Sequence, residues 1–457
     1  MANLWRRAGR RRPSLLFFAA SSCALACFGQ TTIVTDDRAF NAVPFEKWLA
    51  EGDQGKFHWS AHLTAGELSN HQRLKAKIDL QVDGNELAAR RGHGYLVMLV
   101  QLEDADHRVY RTHGSVDLQQ VTEAAAKSDL IYTQEAFLRP GEYQVALAIF
   151  DTKTGDHSTL LRKIHANALK NDPFPSAWDD LAAVEFMGAN DAPDSWYLPQ
   201  ASGKLRLRVE ARRPVRLEVL VNASPTTAGS GARTGQVNNR SLVDLLPALK
   251  VISQVKLSKG TLRVSLLDLT RQSVLFEQNL ADPKPAGELD WPELRAALVK
   301  ADPNKIDARS LERRNHNAQF FVEQVRERLG LGSGQTGESS KKEEQPVTVG
   351  IVLSGPMAFE SGEDRHPIEN ANGFAGKLYY IRYHSLPPLS PQAAFVEPLR
   401  NGRRSVGPLP SLKQLPQEPL DGLENLVKPL QPRLFDVYTP EQFRKAIATL
   451  FDEISRM

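Results

Sequence analysis

The stretch Val215-Arg-Leu-Glu-Val-Leu-Val221, followed at once by Asn222-Ala-Ser-Pro-Thr-Thr227, decides how the second half of this 457-residue chain reads. Seven residues rich in valine and leucine, with an unbroken apolar end, suit a strand buried on both faces. The small polar residues behind it suit a loop leading into a helix. Downstream the rhythm repeats. Ser241 to Val251 is expected to be helical, with Ser241 and Asp244 spaced as an N-terminal capping pair. Thr261–Asp268 and Ser273–Glu277 are expected as strands, and Leu205–Val209 as an additional one. Trp291–Lys300 and Leu311–Leu329 read as helices, Val347–Leu353 and Gly376–Arg382 as strands, and Leu423–Leu430 as a short helix. Arg433–Tyr438 is a last strand before a helix capped at Thr439-Pro440. Alternating strands and helices predict a mainly parallel sheet with helices on both faces. An open sheet of that kind binds ligands beyond the carboxyl ends of its strands. The candidate site is therefore Asn222, Ser224 and Thr226, with Asp268, at the end of another strand, the nearest spare carboxylate.

Upstream, residues 73–170 carry a period-two run at Lys75–Val82, a continuous apolar run at Tyr95–Leu102 that suits a buried strand, and further strand-like runs at Leu130–Gln134, Glu142–Phe150 and Ser158–Ile164. Asp83-Gly84, Arg139-Pro-Gly141 and Asp151–Asp156 punctuate them. Short strands joined by turn chemistry predict an antiparallel β-sandwich. Residues 30–72 form an N-terminal extension with a short helix near Glu46–Ala50. Residues 171–203, with four prolines and two tryptophans, form a connector to a C-terminal domain spanning 204–457. Two polar or proline-rich stretches, 330–346 and 385–420, read as flexible insertions; the second has eight prolines among its 36 residues. The expected fold class is thus α+β multidomain: an N-terminal antiparallel β-sandwich followed by a Rossmann-type α/β domain with a mainly parallel sheet.

Residues 1–29 have the layout of a secretory signal peptide: five arginines between Arg6 and Arg12, an apolar Leu15–Cys27, then small residues. The apolar run is too short to span a bilayer. Export to the periplasm or the extracellular space is expected, with lipid attachment at Cys27 as a variant and no membrane span after processing. Both cysteines, Cys23 and Cys27, lie in this segment, so the mature chain has no disulfide or thiolate chemistry. Lys and Arg exceed Asp and Glu by three overall, but residues 1–29 carry five arginines and no acid, which leaves −2 without them. The charge balance therefore gives no reason to expect a nucleic-acid partner.

The strand followed by Asn222-Ala-Ser-Pro-Thr-Thr227, the Val347–Pro356 strand and turn, and the terminal Arg433–Met457 in that order resemble the von Willebrand factor A (vWA) family, in particular its bacterial, acidobacterial-type VWFA-related branch. The resemblance spans residues 204–457. It implies a metal-ion-dependent adhesion site in which two hydroxyls bind Mg²⁺ directly, acidic side chains hold coordinated waters and a partner's carboxylate completes the shell. Where the family has Asp-x-Ser-x-Ser, this chain has Asn222 in place of the first acid and keeps hydroxyls at Ser224 and Thr226. The later turn reads Ser354-Gly355-Pro356, with no acid. The resemblance so read implies a degenerate metal site, no bound metal and no cofactor. Ser224 and Thr226 also fit an ordinary helix-start cluster, and Asp268 also fits a turn cap.

No Gly-x-Ser-x-Gly, His-Glu-x-x-His, phosphate-binding glycine loop or dinucleotide fingerprint occurs. His58 and His62 read as surface histidines, Asp104 and Asp106 as solvated charges in a turn, and Asp151 and Asp156 as hairpin residues. No catalytic residue is expected. The function expected is that of an exported, non-enzymatic protein that binds an unidentified protein partner or scaffolds the cell envelope. A working metal-dependent adhesion module and an envelope hydrolase remain as the alternatives.

Overall fold

A computed structural model of the chain describes residues 43–123, 128–187, 202–224, 240–280, 288–301, 314–331, 345–359, 366–368, 374–384 and 421–457. The expected signal peptide with Cys27, nearly all of insertions 330–346 and 385–420, and Thr226 lie outside these residues, as does the side chain of Ser241.

Two four-stranded antiparallel sheets make up the first half. One runs β1 (Trp59–Leu68), β2 (Leu74–Val82), β5 (Leu130–Leu138), β8 (Val184–Phe186); the other runs β4 (Val109–Asp117), β3 (Tyr95–Glu103), β6 (Gly141–Asp151), β7 (His157–Ala166). Alternation decides which side chains meet. Leu74, Ala76, Ile78 and Leu80 of β2 share one core with Leu96, Met98, Val100 and Leu102 of β3. The other face of β3 is apolar too. Helix α1 (Phe45–Glu51) covers it, packing Phe45 and Trp48 on Val97, Leu99, Ala146 and Ala148. Strands β1 and β4 fall where no strand was expected, because their alternating positions are only half buried. Gly84–Arg90, read as the far side of a turn, is a helical turn, α2, capped by the Asp83 carboxylate on Asn85 N–H.

In the second half, β9 (Leu207–Val209) pairs with β11 (Val255–Leu257), a separate two-stranded sheet. The remaining strands form one sheet in the order β13 (Ser273–Asn279), β12 (Gly260–Asp268), β10 (Val215–Asn222), β14 (Val347–Ser354), β15 (Lys377–Tyr383), β16 (Arg433–Val437). Successive neighbours from β12 to β16 are parallel, and β13 runs antiparallel to β12. Side-chain alternation splits the apolar residues. Leu217, Val219 and Val221 face a core shared with α3 (Arg240–Ser253) and α7 (Pro440–Arg456). Leu220, Val352, Leu378 and Tyr380 face a second core under α5 (Asn317–Leu329) and α6 (Gly422–Val427). Helix α4 (Trp291–Lys300) is capped by the Asp290 carboxylate on Glu293 N–H.

This pairing corrects the expected fold class. Most strand pairing in the chain is antiparallel, strands outnumber helices more than twofold among the described residues, and the largest sheet is mixed. A Rossmann-type, mainly parallel α/β domain is therefore not the architecture found. The physical reason lies at residues 269–272. Four residues can close a hairpin, but a parallel crossover needs a dozen or more, so β13 must return antiparallel. The alternation that suggested a parallel array also hid the short β9–β11 ladder, which sits apart from the large sheet.

The two halves share one continuous apolar core, and a polar clamp closes over it. Arg444 of α7 bonds Asp172 through Nε at 2.6 Å and Nη2 at 2.9 Å, and its Nη2 also reaches the Phe174 carbonyl at 3.1 Å. Its guanidinium lies over the rings of Phe174 and Trp178. Gln72 Nε2 donates to the Pro440 carbonyl at 3.0 Å, and Asn70 Nδ2 to Asp244 Oδ1 at 2.9 Å. No described helix is long and apolar enough to cross a membrane.

Arg444 and Asp172 are both buried, so removing one partner strands a charge. Asp172→Asn is expected to lower unfolding free energy by about 3–5 kcal/mol, measured by urea denaturation; a change under about 1 kcal/mol would show that the clamp carries little.

Candidate functional site

The carboxyl ends of β10, β12 and β14 bring three of the four candidate residues together. Asn222 and Ser224 are buried beside Ser354, and Asp268 ends the adjacent strand. Thr226 lies outside the described residues.

Every polar atom of the Asn222 amide has a partner. Its Oδ1 accepts from Ser224 N–H at 3.1 Å and from Ser224 Oγ at 2.5 Å. Its Nδ2 donates to Ser354 Oγ at 3.0 Å and points at Met357 Sδ at 3.5 Å. Ser224 Oγ accepts from Leu269 N–H at 2.7 Å, and Ser354 Oγ donates to the Gly355 carbonyl at 2.7 Å. The hydroxyl protons of Ser224 and Ser354 are thus turned inward, toward an amide oxygen and a carbonyl. An amide suits this position because it offers both a donor and an acceptor; a carboxylate offers only acceptors. The loop after β10 is stitched to the loop after β12 by these bonds, which explains why small hydroxyl residues occur there.

Asp268 is occupied as well. Its Oδ1 accepts from Thr270 Oγ1 at 2.6 Å and Arg271 N–H at 3.2 Å, and its Oδ2 pairs with Arg271 Nη1 at 3.2 Å. Arg271 in turn donates to the Ala301 carbonyl. This is a turn cap with its charge neutralised, pulled toward β13 and α4 rather than toward Asn222.

A polar chain that sequence reading left out continues from Ser354 across the sheet. The buried Tyr380 hydroxyl donates to Asp421 Oδ2 at 2.7 Å. Burial and the Asp421 charge hold that phenol well above its ordinary range. Asp421 caps α6 through Leu423 N–H and also accepts from Met357 N–H. Arg382 reaches Asp421 at 3.2 Å, Glu424 at 2.8 Å and Asp436 at 2.6 Å. His384, stacked on Tyr438, contacts Asp436 through Nε2 at 2.7 Å. The signal for this chain was present in Tyr380-Ile-Arg-Tyr-His384: positions two apart share a sheet face, so Tyr380, Arg382 and His384 line up.

Elsewhere the proposed minor residues settle into structural work. His62 sits on β1 opposite Asp79. Asp104, expected as a solvated charge, is buried and accepts from Asp106 N–H, Arg108 N–H and the Tyr110 hydroxyl. Asp151 caps its hairpin turn, and Arg90 bridges it to Asp156. Among the described residues no group of three or more His, Cys, Asp or Glu side chains is placed to hold a metal ion.

No protein-family model matches the chain, and no curated protein does. Among the solved structures that match, two align with about a quarter of it. One is a Northeast Structural Genomics Consortium target, SoR45, at 10% identity over 26% of this chain and 94% of that one, with a TM-score of 0.17. The other is a Bordetella pertussis protein provisionally named ApaA, at 13% identity over 25% of this chain and 97% of that one, also with a TM-score of 0.17. Similarity at that level carries no argument about fold or function, and neither is linked to the vWA family.

Asn222→Asp replaces two donors with acceptors that face Ser354 and Met357. It is expected to destabilise the chain by about 1–3 kcal/mol at pH 7, with part of the loss recovered on acidification as the new carboxyl protonates; denaturation midpoints at pH 5 and pH 7 check both. Burial pushes the Asp436 carboxyl up, but hydrogen bonds and charge from Arg382 and His384 together outweigh it and hold the group below the usual carboxylate range. A lowered folded-state pKa adds stability above the unfolded value near 3.9, and that stability is lost as pH falls through the folded one. The stability gap between wild type and Asp436→Asn should therefore be about 1 kcal/mol or less at neutral pH, given solvent screening, and close below about pH 4; a gap that widens on acidification would contradict the assignment.

Proposed function

We propose that the chain is an exported, non-enzymatic binding module for a protein partner, and that its Asn222 site is a relative of the vWA adhesion site that works without an ion. One observation carries this reading. The amide and hydroxyls that would face a cation spend their donors and acceptors on one another and on the protein backbone. A Mg²⁺ ion needs several oxygen lone pairs and usually carboxylate charge. To bind here it would have to break the Ser224–Asn222 and Ser354–Gly355 bonds and then draw on neutral oxygens alone.

A working metal-dependent module would have to recruit Asp268, and the ion pair between Asp268 and Arg271 weighs against that. A hydrolase would need a base beside a nucleophile. Ser224 instead gives its proton to an amide oxygen that cannot take it up. The partner surface is offered at residues 269–272 and 355–357, beyond β12 and β14, with recognition by shape and neutral polar groups. The reading keeps the export signal in residues 1–29 and leaves the partner as an unidentified protein of the envelope or extracellular space, not a nucleic acid.

Titration calorimetry of the mature chain with Mg²⁺ and Mn²⁺ is expected to give no saturable binding at millimolar concentration. Micromolar binding that Ser224→Ala abolishes would refute the ion-free site, and release of a captured partner by EDTA would favour the metal-dependent module.

A further inference from the structure

A small cavity lies where the β1–β2 turn, β5 and α3 converge, lined by His71, Arg73, Phe137, Gly203, Lys250 and Gln254. The centre of a water-sized sphere can move through about 10 Å³ inside it. Arg73 is 3% exposed. Only one edge of its guanidinium is satisfied: Nη1 pairs with Glu185 Oε2 at 2.5 Å. That glutamate is itself fully used. Its Oε1 accepts from Ser202 N–H and Oγ and from Gly203 N–H, and its Oε2 accepts again from Gly203. Gly203 has no room for a side chain, since a Cβ there would stand 2.6 Å from Glu185 Oε2 and 2.9 Å from Arg73 Nη1.

The other edge of Arg73 is different. Nε and Nη2 are both buried and have no hydrogen-bond partner among the described residues. Those two N–H groups point the same way and form the fork that matches the two oxygens of a carboxylate. A buried charged donor without a partner bears its full desolvation penalty, so an unfilled fork is a poor resting state. The surroundings favour an anion. Lys250 adds a second cation to the lining. His71 is driven down to about 3 by burial and by the neighbouring Lys250, Arg73 and Lys75, so it stays neutral. No acid stands among the lining residues, and Glu185 next to them is already saturated. Phe137 packs under the guanidinium with its ring centroid 4.5 Å from Cζ, which keeps the fork in place and shields it from water.

We propose that this cavity is an oxyanion site that takes one carboxylate-sized group on the Arg73 fork, with Lys250 as second cation, and so fastens the first half of the chain to α3. The site is independent of the Asn222 reading. Formate, the smallest carboxylate, is the probe. Thermal unfolding of the full mature chain in increasing sodium formate, against sodium chloride at equal ionic strength, should show a saturable rise in Tm with formate alone, and equilibrium dialysis with radiolabelled formate should give one site per chain. Arg73→Lys keeps the charge but loses the fork and should abolish the response. Lys250→Gln should raise the half-saturating concentration about tenfold, and it decides the matter if the Arg73 variant does not fold. Formate and chloride acting alike on the wild type, the result expected if a water occupies the fork, would overturn the proposal, as would an unchanged midpoint in Lys250→Gln.

Discussion

A strand buried on both faces must be covered on both faces, and the architecture follows from that requirement at two places. Strand β10 sends Leu217, Val219 and Val221 into one core and Leu220 into another, so helices have to pack on either side of the large sheet. Strand β3 repeats the problem on a smaller scale, with Leu96, Met98 and Val100 inward and Val97 and Leu99 outward. Helix α1 exists to cover the outward pair. Glu218 is the exception that tests the rule. It is 2% exposed in the middle of β10, and burial raises its carboxyl pKa despite Arg263 and Arg216 at 3.9 and 3.3 Å. Its neighbourhood is repaired by a string of charges running through Arg328 to Ser265 and Glu277, which fills the space between β10, β12 and the end of α5.

How far the sequence could be read follows from the same rule. Runs buried on both faces, such as Tyr95–Leu102 and Val215–Val221, announce themselves, and so do strong caps: the Thr439 box of α7 is reciprocal, with Gln442 returning a bond to the cap backbone. Half-buried strands are harder. Trp59–Leu68 alternates, but its inner positions are only half buried and its outer ones include His62 and Glu67. Topology is harder still. Strand identity is local, but direction is set by connection length, and the four residues 269–272 turn the edge strand β13 antiparallel to β12.

The candidate site divides in the same way. Asn222, Ser224 and Asp268 could be picked out because strand ends are predictable from the strands themselves. Ser354, Tyr380 and Asp421 could not, since their convergence depends on which strands lie side by side and on a capping residue that follows a long insertion. Asp268 shows the limit most sharply. Its position at a strand end made it a candidate ligand, and nothing in the order of residues says that Arg271 folds back to neutralise it.

The Asn222 cluster and the Arg73 cavity make opposite use of one physical principle. Buried polar atoms must be paired. Around Asn222 the protein meets that demand internally: each donor finds an acceptor within two neighbouring loops, and no charge remains that would call for an ion. Around Arg73 the demand is met on one edge and left open on the other, and the open edge carries a full positive charge. A neutral, self-satisfied cluster gives little reason to bind a small ion, whereas a half-satisfied cation at the seam between two sheet systems gives a strong one. Small-anion chemistry in this molecule is therefore better sought at the seam, where Arg73 and Lys250 meet, than at the strand ends to which the sequence first directs attention.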